Sequence, residues 1–591
     1  LTRIYTETPP GWHADTHHKL IHHIKAALRF YARDFNPAVW AALKSKLAEA
    51  YERLSDGDRT ENLQLARAHY EDNLTVYNQE EYPNEWAAAM RGLALVYTEL
   101  PSGDRVENLQ RAIACCENAL EIFTEDDAPV DWARTQCLLA IVYRDLPAGD
   151  VVENLRRAIA CLERADRVLT RDAFPIPWAN VQYDLARVYG LLAEYDEPQL
   201  RQAAIERLHT ALEVFTSDEF PDAWASVQLT LGNLYALRPS GDPAVDLPQA
   251  IAYYEATLTV YREDYEPYLW ATVHRNLGCV YDDLPTDDLK ANARKSIEHF
   301  QAALRVIRED ENTNEWANIH NYLGIAYAQL PYSDPAADFS NAIEHFKAAV
   351  RGFKACGLPD DAASALANLG TAYRELPDGD SPENCSLAIP CFEEALQYYT
   401  PEQFPADWSR LNGNLGTAYM RLPSGDAEHD LTRAIECFQN ALAFCNRDAS
   451  PLQWAMTQLF LGLTYFRLPA EDRTDQVQKA IECFHAACPV FEQEGFEEPH
   501  ADVNLYLGFA YSELIDGIGA YVPQAIEHLE AALRFYTYNT HPMEWATLQN
   551  QLAIVYGSSH AGDRGENLQL SLSYFENTLQ VYSPDDFPRE W

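Results

Sequence analysis

The sequence predicts an all-α fold, an α-solenoid or superhelix of about twelve helix-turn-helix repeats. A tryptophan recurs every 46 residues along most of the 591-residue chain, and self-similarity at such a period is typical of stacked repeats. Each unit also carries two apolar patterns of helical period with turn residues between them. Ala362 and His500 replace the tryptophan in two units. The other positions of this register are Trp40, Trp86, Trp132, Trp178, Trp224, Trp270, Trp316, Trp408, Trp454, Trp545 and Trp591.

The N-terminal segment, residues 1–36, is irregular. Residues 20–31 align with the second helix of a repeat. Pro9-Pro10-Gly11-Trp12 resembles a repeat junction, but it lies only 28 residues before Trp40. We therefore expect a partial repeat here, which has the second helix and lacks the first.

Residues 37–587 form the repeat array, and residues 588–591 open a further repeat. The chain begins with Leu1 rather than methionine and ends in a repeat junction, so we expect a segment of a longer polypeptide. The repeats start near residues 37, 83, 129, 175, 221, 267, 313, 359, 405, 451, 497 and 542.

The unit that begins at Pro405 shows how each repeat is built. Proline suits the first turn of a helix, where its missing N–H is not needed, so the first helix (helix A) is expected over 407–421. Pro423 disfavours helix at the residue before it, and Ser424-Gly425-Asp426 has the composition of a turn. The second helix (helix B) is expected over 431–445, where apolar residues return at helical spacing.

Small residues are expected to let the two helices of each unit pack closely, and asparagines are expected to cap helix B. Every helix A has a tyrosine near its end, a leucine four residues earlier, and glycine or alanine beside that leucine. We expect the small residue to let helix B approach closely. The asparagines expected to cap helix B are Asn62, Asn108, Asn154, Asn384 and Asn567.

Leu-Gly-x-x-Tyr in helix A and Ala-x-x-x-Phe in helix B resemble the tetratricopeptide repeat (TPR), and the resemblance covers roughly residues 20–587. It departs from the common pattern in length, 46 residues against about 34. Trp408 also stands seven residues before Leu415 rather than three, so we expect this tryptophan to pack at the joint between repeats.

The junctions and loops carry a second resemblance. Long repeats with Pro-x-x-Trp-Ala junctions and Leu-Pro-x-Gly-Asp loops resemble bacterial arrays joined to CHAT-type caspase-like proteases or NTPase signalling modules. This resemblance implies a sensor or recognition arm of a larger bacterial signalling or defence protein. It also leaves open a regulatory arm that holds the attached module inactive.

Composition narrows the class of partner. The chain has 90 acidic and 45 basic residues, a net charge of −45, which disfavours direct contact with nucleic acid and suits either a basic partner or simple solubility of an acidic surface. Most of its twelve cysteines fall in helical patterns, which predicts a reducing compartment and a cytoplasmic protein. No apolar run is long enough to span a bilayer, so we expect no membrane partner.

The sequence predicts neither a metal nor a cofactor. His17, His18, His22 and His23 include the i,i+4 spacing that can chelate a metal, but no nearby cysteine or carboxylate completes a ligand set. We expect these side chains to be solvated. The sequence also has no phosphate-binding Walker loop, no HExxH and no Gly-x-Ser-x-Gly elbow, so we expect no enzyme.

Two other patterns are expected to be structural. The loops Asp56-Gly57-Asp58 and Asp378-Gly379-Asp380 lack the alternating ligands and final glutamate of a calcium loop. Equivalent positions of stacked repeats lie roughly 8–10 Å apart, too far for metal bonds of about 2.0–2.3 Å, so a ladder of helix B residues predicts packing. This ladder consists of His69, Cys115, Cys161, Tyr253, His299, His345, Cys391, Cys437, Cys483 and His528.

The TPR resemblance implies that helix A lines a concave groove that binds a protein or peptide. By register, the groove positions lie two, five, nine and twelve residues after the tryptophan position. The predicted polar groove residues are Asn180, Tyr183, Arg187, Asn233, Arg275, Asn318, Asn321, Arg374 and Arg410. The predicted apolar groove residues are Met456, Leu459, Leu463, Phe466, Leu505 and Phe509. Packing inside the solenoid is the alternative for the apolar set.

The leading hypothesis is therefore a non-enzymatic scaffold that binds a protein or peptide. The regulatory arm is one alternative. A self-assembling structural solenoid is another, because uncapped repeat ends can stack. An acidic mimic of nucleic acid is a more distant fourth hypothesis.

Overall fold

The computed structural model describes residues 13–582 except 55, 196, 239, 287, 331–334, 377–381, 423–425, 470–472, 515–519 and 561. This part contains 25 α-helices and no β-strand, which confirms the predicted all-α class. None of these helices is both long and apolar enough to span a membrane. The predictions for Pro9-Pro10-Gly11-Trp12, Asp378-Gly379-Asp380, Ser424-Gly425 and residues 588–591 lie outside the described residues.

The helices alternate between the two roles, so that even-numbered helices are helix A and odd-numbered helices are helix B. In chain order they are α1 (His13–Leu28), α2 (Pro37–Glu52), α3 (Arg59–Asn73), α4 (Pro83–Glu99), α5 (Arg105–Ile122), α6 (Pro129–Asp145), α7 (Val151–Val168), α8 (Pro175–Tyr195), α9 (Leu200–Ala211), α10 (Pro221–Ala236), α11 (Pro243–Leu258), α12 (Pro267–Asp282), α13 (Leu289–Ala303), α14 (Thr313–Ala328), α15 (Pro335–Cys356), α16 (Pro359–Arg374), α17 (Pro382–Ala395), α18 (Pro405–Arg421), α19 (Ala427–Phe444), α20 (Pro451–Arg467), α21 (Arg473–Glu494), α22 (Glu497–Glu513), α23 (Val522–Ala532), α24 (Pro542–Ser558) and α25 (Arg564–Thr578).

The chain divides into two compact units, Leu1–Pro285 (unit 1) and Thr286–Trp591 (unit 2). Within each unit, every helix packs against the helices before and after it in the sequence. Consecutive helices A also touch one another, whereas the described residues show no comparable contact between consecutive helices B. Each unit is therefore a stack of helical hairpins, and helix A lies on its tighter side.

Aspartate caps helix B, and this corrects the prediction that asparagine does. The Asp104 carboxylate accepts hydrogen bonds from the backbone N–H groups of Val106 (2.8 Å) and Glu107 (3.2 Å). Asp58, Asp150, Asp242, Asp288, Asp426 and Asp563 occupy the same position in other units. These bonds satisfy N–H groups that have no partner within the helix.

The asparagines lie one turn further into helix B. Several of them donate hydrogen bonds to carbonyl groups of the loop between helix A and helix B. Asn108 donates its side-chain N–H to the Ser102 carbonyl at 3.0 Å. Asn62 and Asn154 make the same type of bond, to the carbonyls of residues 56 and 148 at 2.9 Å. Asn567 follows the capping aspartate of α25, and Asn384 lies inside α17. The capping prediction was therefore wrong for this set of asparagines.

The small residue of helix A does lie against an aromatic ring of helix B. A Cβ atom added to Gly416 would be 2.8 Å from the Phe438 ring, and one added to Gly232 would be 2.6 Å from Tyr254. Such a distance is shorter than a van der Waals contact. The same pairing occurs at Gly324 with Phe346, Gly370 with Phe392, and Gly462 with Phe484. The predicted close approach of the two helices is confirmed at these positions.

Trp132 lies at a joint between repeats, as predicted for the tryptophans, whereas the Trp408 ring contacts Phe444 of its own hairpin, with ring centroids 5.0 Å apart. Trp132 at the start of α6 packs against a cluster that includes Ala119 of α5 and Phe123 just after it, both in the preceding repeat. Both of those residues are buried. Trp132 therefore contacts the hairpin that precedes its own.

Candidate functional site on the helix A face

In each unit the helices A form a surface, which we call the helix A face, and a cavity lined by described residues opens on it. The first cavity lies in unit 1, has a volume of about 390 Å³, and is lined by α2, α4 and α6. The second cavity lies in unit 2, has a volume of about 570 Å³, and is lined by α16, α18 and α20. Each is thus built from the helices A of three successive repeats, with one helix B aromatic, Tyr70 or Phe438, in its wall.

The first cavity contains a carboxyl group bonded to a phenol. The buried Tyr70 hydroxyl donates a hydrogen bond to Glu52 Oε2 at 3.1 Å. Gly92 makes room for this ring, because a Cβ atom there would lie 2.4 Å from the Tyr70 Cζ. The absence of a side chain on α4 therefore lets a tyrosine of α3 reach a glutamate of α2.

Burial raises the pKa of Glu52 to about 7, because the charged form loses its hydration. The hydrogen bond from Tyr70 and the positive charge of Arg53 oppose this rise. The negative charges of Glu99 and Glu49 add to it. Burial also raises the pKa of Tyr70, so its hydroxyl keeps its proton at neutral pH.

Glu52 has no ion-pair partner among the residues that the structure describes, whereas other charged groups of the cavity do. Glu49 binds Lys46, at 2.7 Å and 3.0 Å to its two carboxylate oxygens. Arg91 binds Asp131 at 2.8 Å, across α4 and α6. The first cavity therefore presents a partly buried carboxyl group, suited to hydrogen bonding and ion pairing.

The second cavity presents guanidinium groups and aromatic rings. Arg374 donates hydrogen bonds to Asn414 at 3.3 Å and to Glu375 at 2.8 Å. Phe438 and Phe460 stack with a centroid separation of 6.2 Å. A Cβ atom added to Gly413 would meet no atom within 4 Å, so this glycine leaves open space on α18.

The apolar groove residues predicted from the sequence do not form one exposed patch. Leu459, Leu463 and Leu505 are only 4%, 7% and 8% exposed and belong to the hydrophobic cores of their repeats. Neighbouring helices flank helix A on both sides, so apolar side chains at these positions turn into the joints. Of the remaining three, Met456 lines the second cavity, and Phe466 and Phe509 are half-buried against the cores.

Several predicted polar groove residues bond to the next helix A. Asn233 of α10 accepts from Asn276 of α12 at 2.9 Å. Asn321 of α14 accepts from Asn368 of α16 at 3.3 Å. Arg374 and Arg410 line the second cavity. Asn180 and Arg187 are exposed, and Tyr183, Arg275 and Asn318 are half-buried. These lateral bonds fix the spacing of helices A, a role that the sequence pattern did not predict.

The ladder of helix B residues takes part in packing within its own hairpin. His345 lies 2.9 Å from His320 of helix A, nitrogen to nitrogen, and His528 lies 2.8 Å from Asn504. Burial raises the pKa of the ladder cysteines, to about 11 for Cys391, so their thiols stay protonated at neutral pH. No group of three or more potential metal ligands occurs among the described residues.

The N-terminal histidines lie on α1. His18, His22 and His23 are exposed, and His17 is half-buried. The His18 ring lies 3.7 Å from the Asp56 carboxylate.

Sequence reasoning missed the first cavity, although two signals point to it. Tyr70 stands where most later units have phenylalanine, and a buried tyrosine hydroxyl needs a hydrogen-bond partner. Gly92 is a glycine in the interior of α4, where it costs helix stability unless space is needed. Together they indicate a buried polar group near the joint of the first two repeats.

Part of the chain is similar to one known protein family. Residues 289–498 match the family model "Soluble NSF attachment protein, SNAP", which is less than half of the chain. No curated protein sequence matches the chain.

Several solved structures resemble this chain at low identity and low TM-score. The C-terminal part of a TPR repeat-containing protein from Cytophaga hutchinsonii is 14% identical, with 51% of this chain and 93% of that chain covered and a TM-score of 0.34. The Cut9 and Hcn1 hetero-tetramer of APC/C gives 16% identity, 99% and 96% coverage and a TM-score of 0.35. The apo form of RapI gives 13% identity, 65% and 93% coverage and a TM-score of 0.39. At these identities and TM-scores, the ligands and partners of those proteins are not assigned to this chain.

Proposed function

We propose that this chain is a non-enzymatic scaffold that binds a protein or peptide segment on its helix A face. The observation that carries the proposal is the pair of cavities, each formed by three successive helices A. The capped helices and close hairpins that recur in each repeat, which we call the repeat frame, determine where such cavities lie. The side chains that vary between repeats give each cavity its own chemistry. Apolar walls with a few convergent polar groups are typical of binding sites.

We further propose that the scaffold is the recognition arm of a larger bacterial signalling or defence protein in the cytoplasm. The resemblance of its junctions and loops to arrays joined to CHAT-type proteases or NTPase modules supports this role. An arm that holds such a module inactive is the regulatory alternative. None of the twelve cysteines forms a disulfide bond, which supports a reducing compartment.

Self-assembly is a second candidate function, favoured by α25. Leu568, Leu570 and Leu572 on this helix are 44%, 42% and 63% exposed, and the described residues contain no following hairpin that covers them. Light scattering over a hundredfold range of concentration tests it. A monomer at every concentration would rule out self-assembly without affecting the scaffold proposal.

Site-specific photocrosslinking tests the scaffold proposal. A photoreactive amino acid replaces Asn180, which is exposed on the helix A face of α8, and crosslinking is carried out in the native cell. The matched control carries it at Glu206, exposed on α9 of the same hairpin. We expect a crosslinked partner from position 180 only. Equal crosslinking at both positions, or none on any helix A, would contradict the proposal.

A further inference from the structure

We propose that the first cavity binds the cationic end of an arginine or lysine side chain from a partner polypeptide, with Glu52 as its counter-ion. This inference rests on the proposed scaffold function and names the chemistry of one position on the helix A face. It assigns a role to Glu52 beyond accepting the hydrogen bond of the buried Tyr70 hydroxyl.

The geometry of Glu52 favours a cation. Its Oε2 accepts a hydrogen bond from the Tyr70 hydroxyl, and its Oε1 has no hydrogen bond among the described residues. The carboxyl group is half-buried, so it has lost part of its hydration without gaining an ion-pair partner. A guanidinium or ammonium group would restore the missing interaction, since a charge-assisted bond in such a site is stronger than one in water.

The walls of the cavity fit the rest of such a side chain. Leu95 of α4 and Leu138 and Ile141 of α6 line the cavity and supply apolar contact. Arginine and lysine carry three or four methylene groups that pack on apolar surface while the charged end reaches a polar group. The cavity volume of about 390 Å³ is within the usual range of ligand pockets.

The other charges around Glu52 do not supply a counter-ion. Arg59 of α3 binds Glu99 of α4, and Arg91 binds Asp131. Cys137 of α6 also lines the cavity, and burial raises the pKa of its thiol to about 12, so it stays neutral.

Arg53 and Arg134 also line the cavity, but both are exposed. Solvent and salt screen their charges more than the charge of a half-buried carboxylate. An acidic ligand would reach only these exposed groups and would meet Glu52 as a like charge. The cavity therefore discriminates against acidic side chains at its inner end.

Calorimetric titration with N-acetyl-arginine amide tests the proposal, with N-acetyl-citrulline amide as the uncharged probe of the same shape. We expect the arginine probe to bind and the citrulline probe to bind at least tenfold more weakly. Glu52→Gln should weaken the arginine probe at least tenfold. The control Glu85→Gln removes an exposed carboxylate from α4 outside the cavity and should leave the affinity unchanged.

Proton release gives a second measurement that does not depend on a variant. With the pKa of Glu52 at about 7, roughly half of the molecules are protonated at pH 7 and must lose that proton to pair with the probe. Titration in two buffers of different ionisation enthalpy should show release of about half a proton. The affinity should rise about tenfold between pH 6 and pH 8.

Three results would overturn the inference: equal binding of the citrulline probe, unchanged affinity in Glu52→Gln, or tighter binding of N-acetyl-glutamate amide. If a partner still crosslinks to the helix A face, any of these leaves the scaffold proposal standing. If no partner crosslinks there, the scaffold proposal fails, and the arginine probe still decides whether the cavity is a cation site.

Discussion

The two cavities are each formed by helices A of three successive repeats, but they present different polar groups. In the first, a glutamate without an ion-pair partner accepts a bond from a tyrosine. In the second, Arg374 lies among asparagine, glutamate and stacked phenylalanines. The frame around both is alike, with capped helices and close hairpins. The difference shows that the frame determines where a cavity forms, and the face residues determine what it can bind.

The largest expected difference between the cavities is in pH dependence. The folded pKa of Glu52 is raised from 4.5 to about 7, so the neutral form is favoured in the folded state. This contribution to stability is fully present below about pH 4.5 and is lost as the pH rises through 7. Glu52→Gln should therefore stabilise unit 1 at pH 8 by roughly 3 kcal/mol relative to its effect at pH 4. Urea unfolding of both proteins at the two pH values measures this difference. Parallel stability curves would show that Glu52 is hydrated like a surface carboxylate.

The second largest difference is expected in how each cavity tolerates an added methyl group. Gly92→Ala places a Cβ atom 2.4 Å from the Tyr70 ring, so the ring must move and its bond to Glu52 must break. We expect a loss of roughly 1–3 kcal/mol in the free energy of unfolding. The urea midpoint of unit 1 measures it. An unchanged midpoint would mean that Tyr70 has another position available, and Gly92 would then not shape the cavity.

The helix caps should behave alike in both units, since they belong to the frame. Asp104→Ala in unit 1 and Asp426→Ala in unit 2 each remove the acceptor for the first turn of a helix B. Each change should cost about 1 kcal/mol, as measured by thermal unfolding, and neither should alter binding of N-acetyl-arginine amide. Asparagine at either position is the control, because it caps nearly as well. A large difference between the two units would argue against a shared frame.

The smallest effect is expected at the open glycine of the second cavity. Gly413→Ala adds a methyl group that meets no atom within 4 Å, inside α18. Alanine favours helix over glycine, so the variant should gain about 0.5–1 kcal/mol in stability. Chemical denaturation measures the gain, with Gly416→Ala as the matched control on the same helix. That control should lose stability, because its Cβ would lie 2.8 Å from Phe438.

The helices were predictable because every unit repeats the same start and stop signals. The structure begins α18 at Pro405 and ends it at Arg421, close to the interval expected from the sequence. Helix B of this unit begins earlier than expected, at Ala427, because Asp426 caps it. Aspartate and asparagine are similarly good caps, and in the units of α3, α5 and α7 they stand four residues apart, as Asp104 and Asn108 do in α5. Only the path of the loop between the helices distinguishes the residue that caps helix B from the residue that donates a hydrogen bond to the loop.

The candidate site was less predictable, because it depends on neighbours that are distant in the sequence. Helical periodicity places Leu459 and Leu505 on the outward side of their own helices, but it does not show the adjacent helices that bury them. From the sequence alone, Glu52 is predicted to be a solvated residue near a helix end. Its burial follows from Gly92, forty residues later, and from Tyr70 on a third helix.

Contacts between helices reach only the next helix or the one after it within each unit, as far as the described residues show. A mechanical load on either unit therefore meets a series of similar joints rather than one cooperative core. The hairpins should yield one at a time under force, each adding the extended length of a 46-residue repeat, roughly 150 Å. A molecule of this kind can lengthen under tension in steps and still keep the unbroken hairpins, with their cavities, intact.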